Sequence, residues 1–302
     1  RGGYLTDETV DRAWNLWPLI LVGIGIGLVL RRTRLEFLGG LVVAATFGLM
    51  AGGLLSNGVV PLTSGVCGQA GGTVAFSARD GDLPAGTSSV DLRLDCGTMT
   101  VAMTPGTAWQ VAGRDADATG PDIEASDGSL SVRSRRSPGS FLDFGKRETW
   151  QVSLPSTPRL DLDLRLDAGS ATVDLAGARL GKLGLELNAG SATVDLSSVA
   201  SIADLGVGLN AGSLGLTLPN VSMSGSIEAN AGAIKLCAPP GAALKLHIGE
   251  NIIGSYAYGG HGLVKEGSTW TTPGFDTAAV RIEIQTVANA GSFTLDPADG
   301  CE

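Results

Sequence analysis

The stretch 167–218 constrains this chain more than any other. It reads DAGSATVDL, then NAGSATVDL, then NAGSLGLTL. The shared glycines are Gly169, Gly190 and Gly212, so the period is 21 and then 22 residues. A fixed period near 20 means stacked units, none of which buries its apolar face alone. Inside each unit the period is two. Leu160, Leu162, Leu164 and Leu166 alternate with Asp161, Asp163, Arg165 and Asp167, and Ala171, Val173 and Leu175 alternate with Ser170, Thr172 and Asp174. That is strand patterning, one set inward and the other in water. Between the strands lies Asp/Asn-Ala-Gly. Asp and Asn bond their own downstream backbone and Gly accepts positive φ, so each unit turns a tight corner there.

Two architectures fit, a β-solenoid with one rung per repeat or a meander of hairpins. The recurring corner favours the solenoid, because stacking places Asp167, Asn188, Asn210 and Asn230 above one another, about 4.8 Å apart. Amide side chains in such a column can bond along the stack. The corner signature recurs at Gly97, Gly128, Gly232 (after Asn230) and Gly291 (after Asn289). The gaps of 41 and 59 residues between these glycines are near multiples of a rung and imply degenerate rungs between the clear ones; the gap of 31 implies an insertion, placed at 105–121. The count expected is roughly eight to ten rungs. Glycine at 45 of 302 residues and few aromatics suit many corners and a small-residue core, and 43% apolar residues exclude disorder.

Before the repeats lie two apolar runs. Residues 14–30 (WNLWPLILVGIGIGLVL) and 35–55 (LEFLGGLVVAATFGLMAGGLL) are long enough to read as spanning helices. Trp14 and Trp17 suit an interfacial belt. The link is Arg31-Arg32-Thr33-Arg34, which allows only a hairpin and argues for a cytoplasmic loop. The expected organisation is an N-terminal segment 1–13, a transmembrane helical hairpin 14–55, a linker 56–72 and an extracytoplasmic β-solenoid 73–302, in a multi-pass protein of the cytoplasmic membrane. Two buried core helices, or a signal h-region for the first run, are the alternatives. Gly40, Ala44, Gly48 and Gly52, with Gly23 and Gly27 in the first run, form small-residue ridges that suit close helix packing, within the hairpin or against another membrane protein or a second copy.

Residues 1–55 carry five Arg against four acidic residues, a net +1, so of the chain's −9 the remainder carries −10. An acidic domain argues against nucleic acid as a partner. Cys67, Cys96, Cys237 and Cys301 all follow the second run; an even count on the outer side suggests two disulfides. Three pairings are open. Pairing neighbours, Cys67 with Cys96 and Cys237 with Cys301, clamps both ends of the solenoid, at ~3–4 kcal/mol each. Free thiols are the alternative.

These corners and alternating strands resemble the bacterial toast-rack, or "putative adhesin", β-solenoid domain, over roughly 72–295. The run W-P-L-I-L-V-G-I-G resembles the transmembrane region of LiaF-like envelope-stress proteins. The resemblance implies an extracytoplasmic scaffold tied to envelope sensing, regulation or adhesion, with no catalytic residues to carry over.

Other chemistry has little to work with. Two His leave scant material for His catalysis or zinc, and no cysteines stand at CxxC spacing. Asp161, Asp163, Asp167, Asp174 and Asp195 could hold a cation or form the carboxylate pair of a polysaccharide-active β-helix enzyme, but outward strand positions and corners already explain them. Ser170 and Ser191 have no base that repeats with them. No cofactor is implied. Arg133, Arg135, Arg136, Lys146 and Arg147 form a basic cluster that suits an acidic partner or a solvated loop. The segment 250–275 breaks the repeat and gathers Tyr256, Tyr258, Trp270 and Phe275 with His261; it reads either as a contact surface for a partner or as the cap that solenoids require. The functional expectation is a non-catalytic, membrane-anchored scaffold or binding module contacting membrane lipid and other membrane or envelope proteins, with a homo-oligomer possible through the ridges. The alternative is an accessory structural subunit of a larger membrane complex.

Overall fold

A computed structural model describes residues 73–135, 147–249, 254–258, 261–298 and 300–301. The proposed anchor 14–55, the linker and Cys67 lie outside the described residues. Among the described residues no helix is long and apolar enough to cross a membrane.

The described chain is mainly β. Its strands in order are β1 (Val74–Asp82), β2 (Thr87–Leu94), β3 (Gly97–Thr104), β4 (Ala108–Asp115), β5 (Asp122–Ser126), β6 (Ser129–Arg133), β7 (Glu148–Pro155), β8 (Arg159–Leu166), β9 (Gly169–Asp174), β10 (Arg179–Leu187), β11 (Gly190–Asp195), β12 (Ser201–Thr217), β13 (Met223–Cys237), β14 (Ala243–Ile248), β15 (Ser255–Ala257), β16 (Val264–Glu266), β17 (Thr269–Thr271), β18 (Arg281–Ala288) and β19 (Ser292–Leu295). Parallel pairing stacks them into layers, each with one strand before the corner and one after it. β8–β9, β10–β11, β12 and β13 lie in chain order, in register from corner to corner.

At both ends the spatial order departs from the chain order. β2–β3 lies between β8–β9 on one side and β6–β7 on the other. β18–β19 inserts between β13 and the outermost layer, β14–β15. The long gaps do hold further layers, β6–β7 and β14–β15, but these do not lie in chain order among the clear ones. Their residues sit outboard, and the chain then returns to pair inside them. The physical reason is the open edge: a parallel stack leaves unpaired backbone at each end. Antiparallel strands cover much of it here: β4 on β7, β1 on β4, β5 on β6, and the β16–β17 hairpin on β14. Gly128 belongs to this capping and is not a solenoid corner. With Asp127 it closes the β5–β6 hairpin, whose Ser126 and Ser129 face each other, and its φ of 80° is a turn conformation.

The core is a tube of side chains in columns. Leu92, Leu164, Leu185, Val207 and Ile227 follow one another on one wall, and Leu94, Leu166, Leu187 and Leu209 beside them. The opposite wall runs Trp150, Met99, Ala171, Ala192, Leu214, Ile234, Phe293 and Tyr256. Leucine columns thus face alanine in the middle layers, while the second wall carries aromatic residues at its two ends. Such large-against-small matching suits close packing.

Candidate functional site

The corners form the most ordered polar feature. Gly97, Gly169, Gly190 and Gly212 have φ of 140°, 126°, 130° and 121°. A Cβ at Gly169 would stand 1.9 Å from the Gly97 carbonyl oxygen, and one at Gly190 2.0 Å from that of Gly169. Glycine is needed there for its backbone conformation and for the close approach of the next layer. Gly232 and Gly291 continue the column without a left-handed backbone; there a Cβ would come within 2.7 Å and 2.8 Å of the preceding glycine's carbonyl oxygen.

Beside the glycines runs a hydrogen-bonded amide ladder. Asn188 donates to Asp167 (2.6 Å), Asn210 to Asn188 (2.6 Å), Asn230 to Asn210 (2.8 Å) and Asn289 to Asn230 (2.6 Å). The ladder ends on a carboxylate clamped by Arg165 and Arg93. Burial pushes the Asp167 carboxyl up, but hydrogen bonds from Arg165 and Asn188 and the arginine charges outweigh it and hold the group below its ordinary value.

In the β6–β7 layer the corner position falls to Glu148, opposite Gly97. Its side chain is buried and accepts a 2.6 Å hydrogen bond from the Trp150 indole. Burial pushes this carboxyl up to about 7, and the nearby charges of Asp115 and Asp95 act in the same direction. Nothing in the repeat pattern pointed to Glu148, because the residue opposite Gly97 in this layer is not a glycine.

The other acidic positions have structural work. Asp174 accepts from the Ala176 amide and Asp195 from the Ser197 amide, so both close the return turns between layers. Asp163 pairs with Lys182 at 3.3 Å, and the Asp161 side chain lies over Gly181. Among the described residues no group of His, Cys, Asp and Glu could hold a metal ion. Ser170 and Ser191 stand side by side on the outward face. Within the basic cluster Arg133 pairs with Asp91 and Arg135 approaches Asp122, while Arg136 and Lys146 lie outside the described residues.

The aromatic segment does not present an exposed patch. Tyr258 is 0% exposed and Phe275 8%, with Tyr256 and Trp270 half-buried. Tyr256 stacks on Phe293 at 5.6 Å, and Tyr258 meets Trp270 edge-on at 6.2 Å. These rings fill the last layers, where Ala229 and Ala288 leave space in the wall. Burial also pushes the Tyr258 hydroxyl well above the ordinary phenol range. Tyr258 and Phe275 are thus buried, which suits the cap reading of this segment. His261 fastens this cap: one ring nitrogen lies 2.8 Å from the Asp296 carboxylate and the other 3.3 Å from the Ala242 carbonyl oxygen.

Cys237 is joined to Cys301. Cys96 is disulfide-bonded too, and its partner lies outside the described residues. The tail that reaches Cys301 crosses the outward face at Gly215, where a Cβ would meet the Cys301 carbonyl.

Layers, corners and capped ends define a β-solenoid. Residues 76–212 match the family described as the N-terminal domain of toast_rack, DUF2154. Among solved structures, a putative cell adhesion protein from Clostridium sporogenes is 16% identical, covering 72% of this chain and 98% of its own at a TM-score of 0.49. A putative adhesin from Bacteroides fragilis is 10% identical, covering 74% and 96% at 0.33. No curated protein matches the chain.

Proposed function

We propose that the chain is a non-catalytic, membrane-anchored scaffold or binding module whose β-solenoid stands on the outer side of the cytoplasmic membrane. The observation that carries this reading is the corner column: continuous glycine packing and an unbroken amide ladder from Asp167 to Asn289 make a stiff rod with two long polar faces. A rod of that kind suits presentation of a surface to other envelope components. The two apolar runs at 14–55, the Arg-rich link between them and the acidic remainder support an anchor with the solenoid outside. Disulfide-bonded cysteines favour an oxidising compartment.

The test is made in intact cells carrying the full chain. A membrane-impermeant amine reagent, or added protease, is expected to reach the solenoid from outside, and crosslinking to yield discrete adducts with membrane or envelope proteins. Labelling only after the cells are opened would overturn the outward placement. The small-residue ridges at Gly40, Ala44, Gly48 and Gly52 favour a second reading, an accessory subunit of a larger membrane complex. A fixed-stoichiometry assembly on native gels after mild detergent extraction distinguishes it.

A further inference from the structure

We infer that the C-terminal end of the solenoid carries a binding site for a dibasic α-amino acid, free or as the second residue of a dipeptide whose own amino terminus supplies the second ammonium. The inference deepens the binding-module reading and rests on it.

The site follows from the register of three short strands. Lys245 of β14 stands opposite Thr271 of β17, and Thr271 opposite Val264 of β16. Period two sends these side chains to one face, with Glu266 beside them, and sends Leu246 and Trp270 to the other. The turn that follows β17 forms a wall. It is fastened to β14 twice: the Thr272 amide donates to the Leu244 carbonyl at 2.9 Å, and the Leu244 amide donates to the Thr272 hydroxyl at 3.0 Å. A 3-10 turn, Phe275–Thr277, then brings Asp276 to the rim. Floor and wall line an open recess of about 560 Å³, within the size range of small-ligand sites.

The chemistry of the recess is specific in sign. Its ionisable groups are Lys245, Glu266 and Asp276. None of them forms an ion pair among the described residues, whereas Lys182, Arg165, Arg93 and Arg133 on the same solenoid all do. The Lys245 ammonium rests 5.0 Å from the Phe275 ring centroid, which fixes its position without neutralising it. Val264, 51% exposed, is one of two large apolar side chains left open among the described residues. One fixed cation, two carboxylates and an aliphatic surface complement a ligand with one carboxylate, two ammonium groups and a methylene stem. The carboxylate faces Lys245, the ammonium groups face Glu266 and Asp276, and the stem lies on Val264.

The test is calorimetric titration of the full chain in detergent with L-lysine and with the dipeptide Ala-Lys, against L-glutamate and L-norleucine. Lysine or Ala-Lys is expected to bind at least about tenfold more tightly than glutamate or norleucine. Lys245→Met and Glu266→Gln are each expected to weaken binding about tenfold or more with the melting temperature unchanged. Binding of lysine itself identifies the free amino acid as sufficient; binding of the dipeptide alone identifies the dipeptide form. Should Lys245→Met lower the melting temperature, Asp276→Asn replaces it, since the Asp276 backbone carbonyl that accepts from Arg281 is retained. No heat from either ligand at about 10 mM, or binding that none of the variants weakens, overturns the inference. Envelope crosslinks that persist in the same variants would leave the broader scaffold reading standing.

Discussion

Gly190 and Glu148 occupy equivalent corner positions and meet opposite demands. At Gly190 the φ of 130° and a Cβ clearance of 2.0 Å to the Gly169 carbonyl oxygen leave no room for a side chain. Gly190→Ala is expected to destabilise by about 3 kcal/mol or more, as strained backbone adds to a main-chain clash; a urea midpoint equal to wild type would contradict it. Glu148 sits at the last corner before the caps, where burial makes its carboxyl hold a proton more tightly than in water. Its folded-state value of about 7 lies above the unfolded one, so the proton is held more tightly when folded. The associated stability is complete below the unfolded value, near 4.5, and is lost as pH rises through about 7. The span corresponds to roughly 3 kcal/mol. Glu148→Gln keeps an acceptor for the Trp150 indole and carries no charge, so it is expected to stabilise the protein at pH 8 and flatten this part of the profile. Parallel pH–stability curves for the two proteins would refute the assignment. The corner glycines and amides were legible from the repeat. Glu148 was not, since only the tertiary stack shows which residue takes the glycine's place in the outermost layer.

Among the elements, those written as repeats and those written as caps behave differently. β8 to β13 follow the period-two pattern and lie where it predicts, because in-register parallel stacking turns every inward Leu and Val into one shared core. The caps carry weaker signals. β1 has a bulge between Phe76 and Arg79, and β15, β16 and β17 are three residues each. Their placement depends on edges that exist only once the stack has formed. The C-terminal tail depends on a covalent tie of the same kind. Cys237 and Cys301 are separated by 64 residues, a loop that spans the inserted layers. Cys301→Ser is expected to lower stability by up to about 4 kcal/mol, chiefly by freeing the unfolded chain. Thermal unfolding with and without reductant measures it: a wild-type midpoint insensitive to full reduction would show that the tie contributes little.

At the scale of the whole molecule, the order of layers makes a prediction that a simple coil of successive rungs does not. β14–β15 reaches the body of the stack through β18–β19, which follows it in sequence. Removing residues 281–302 should therefore undock the preceding layer as well, and limited proteolysis should trim the truncated chain back to the end of β13, Cys237. A resistant fragment that still includes 243–257 would contradict the topology. The sequence by itself determined the strand class, the inward and outward faces, and the corners, because a two-residue period and a recurring Asn-Ala-Gly are local and each repeat states them again. Only the tertiary structure decided which layers lie outermost, that Asp127-Gly128 turns a hairpin, that the aromatic segment fills the last layers, and that Lys245, Glu266 and Asp276 share one recess. Those outcomes turn on which open edge is covered by which distant strand, and pairing across tens of residues leaves no periodic mark on the chain.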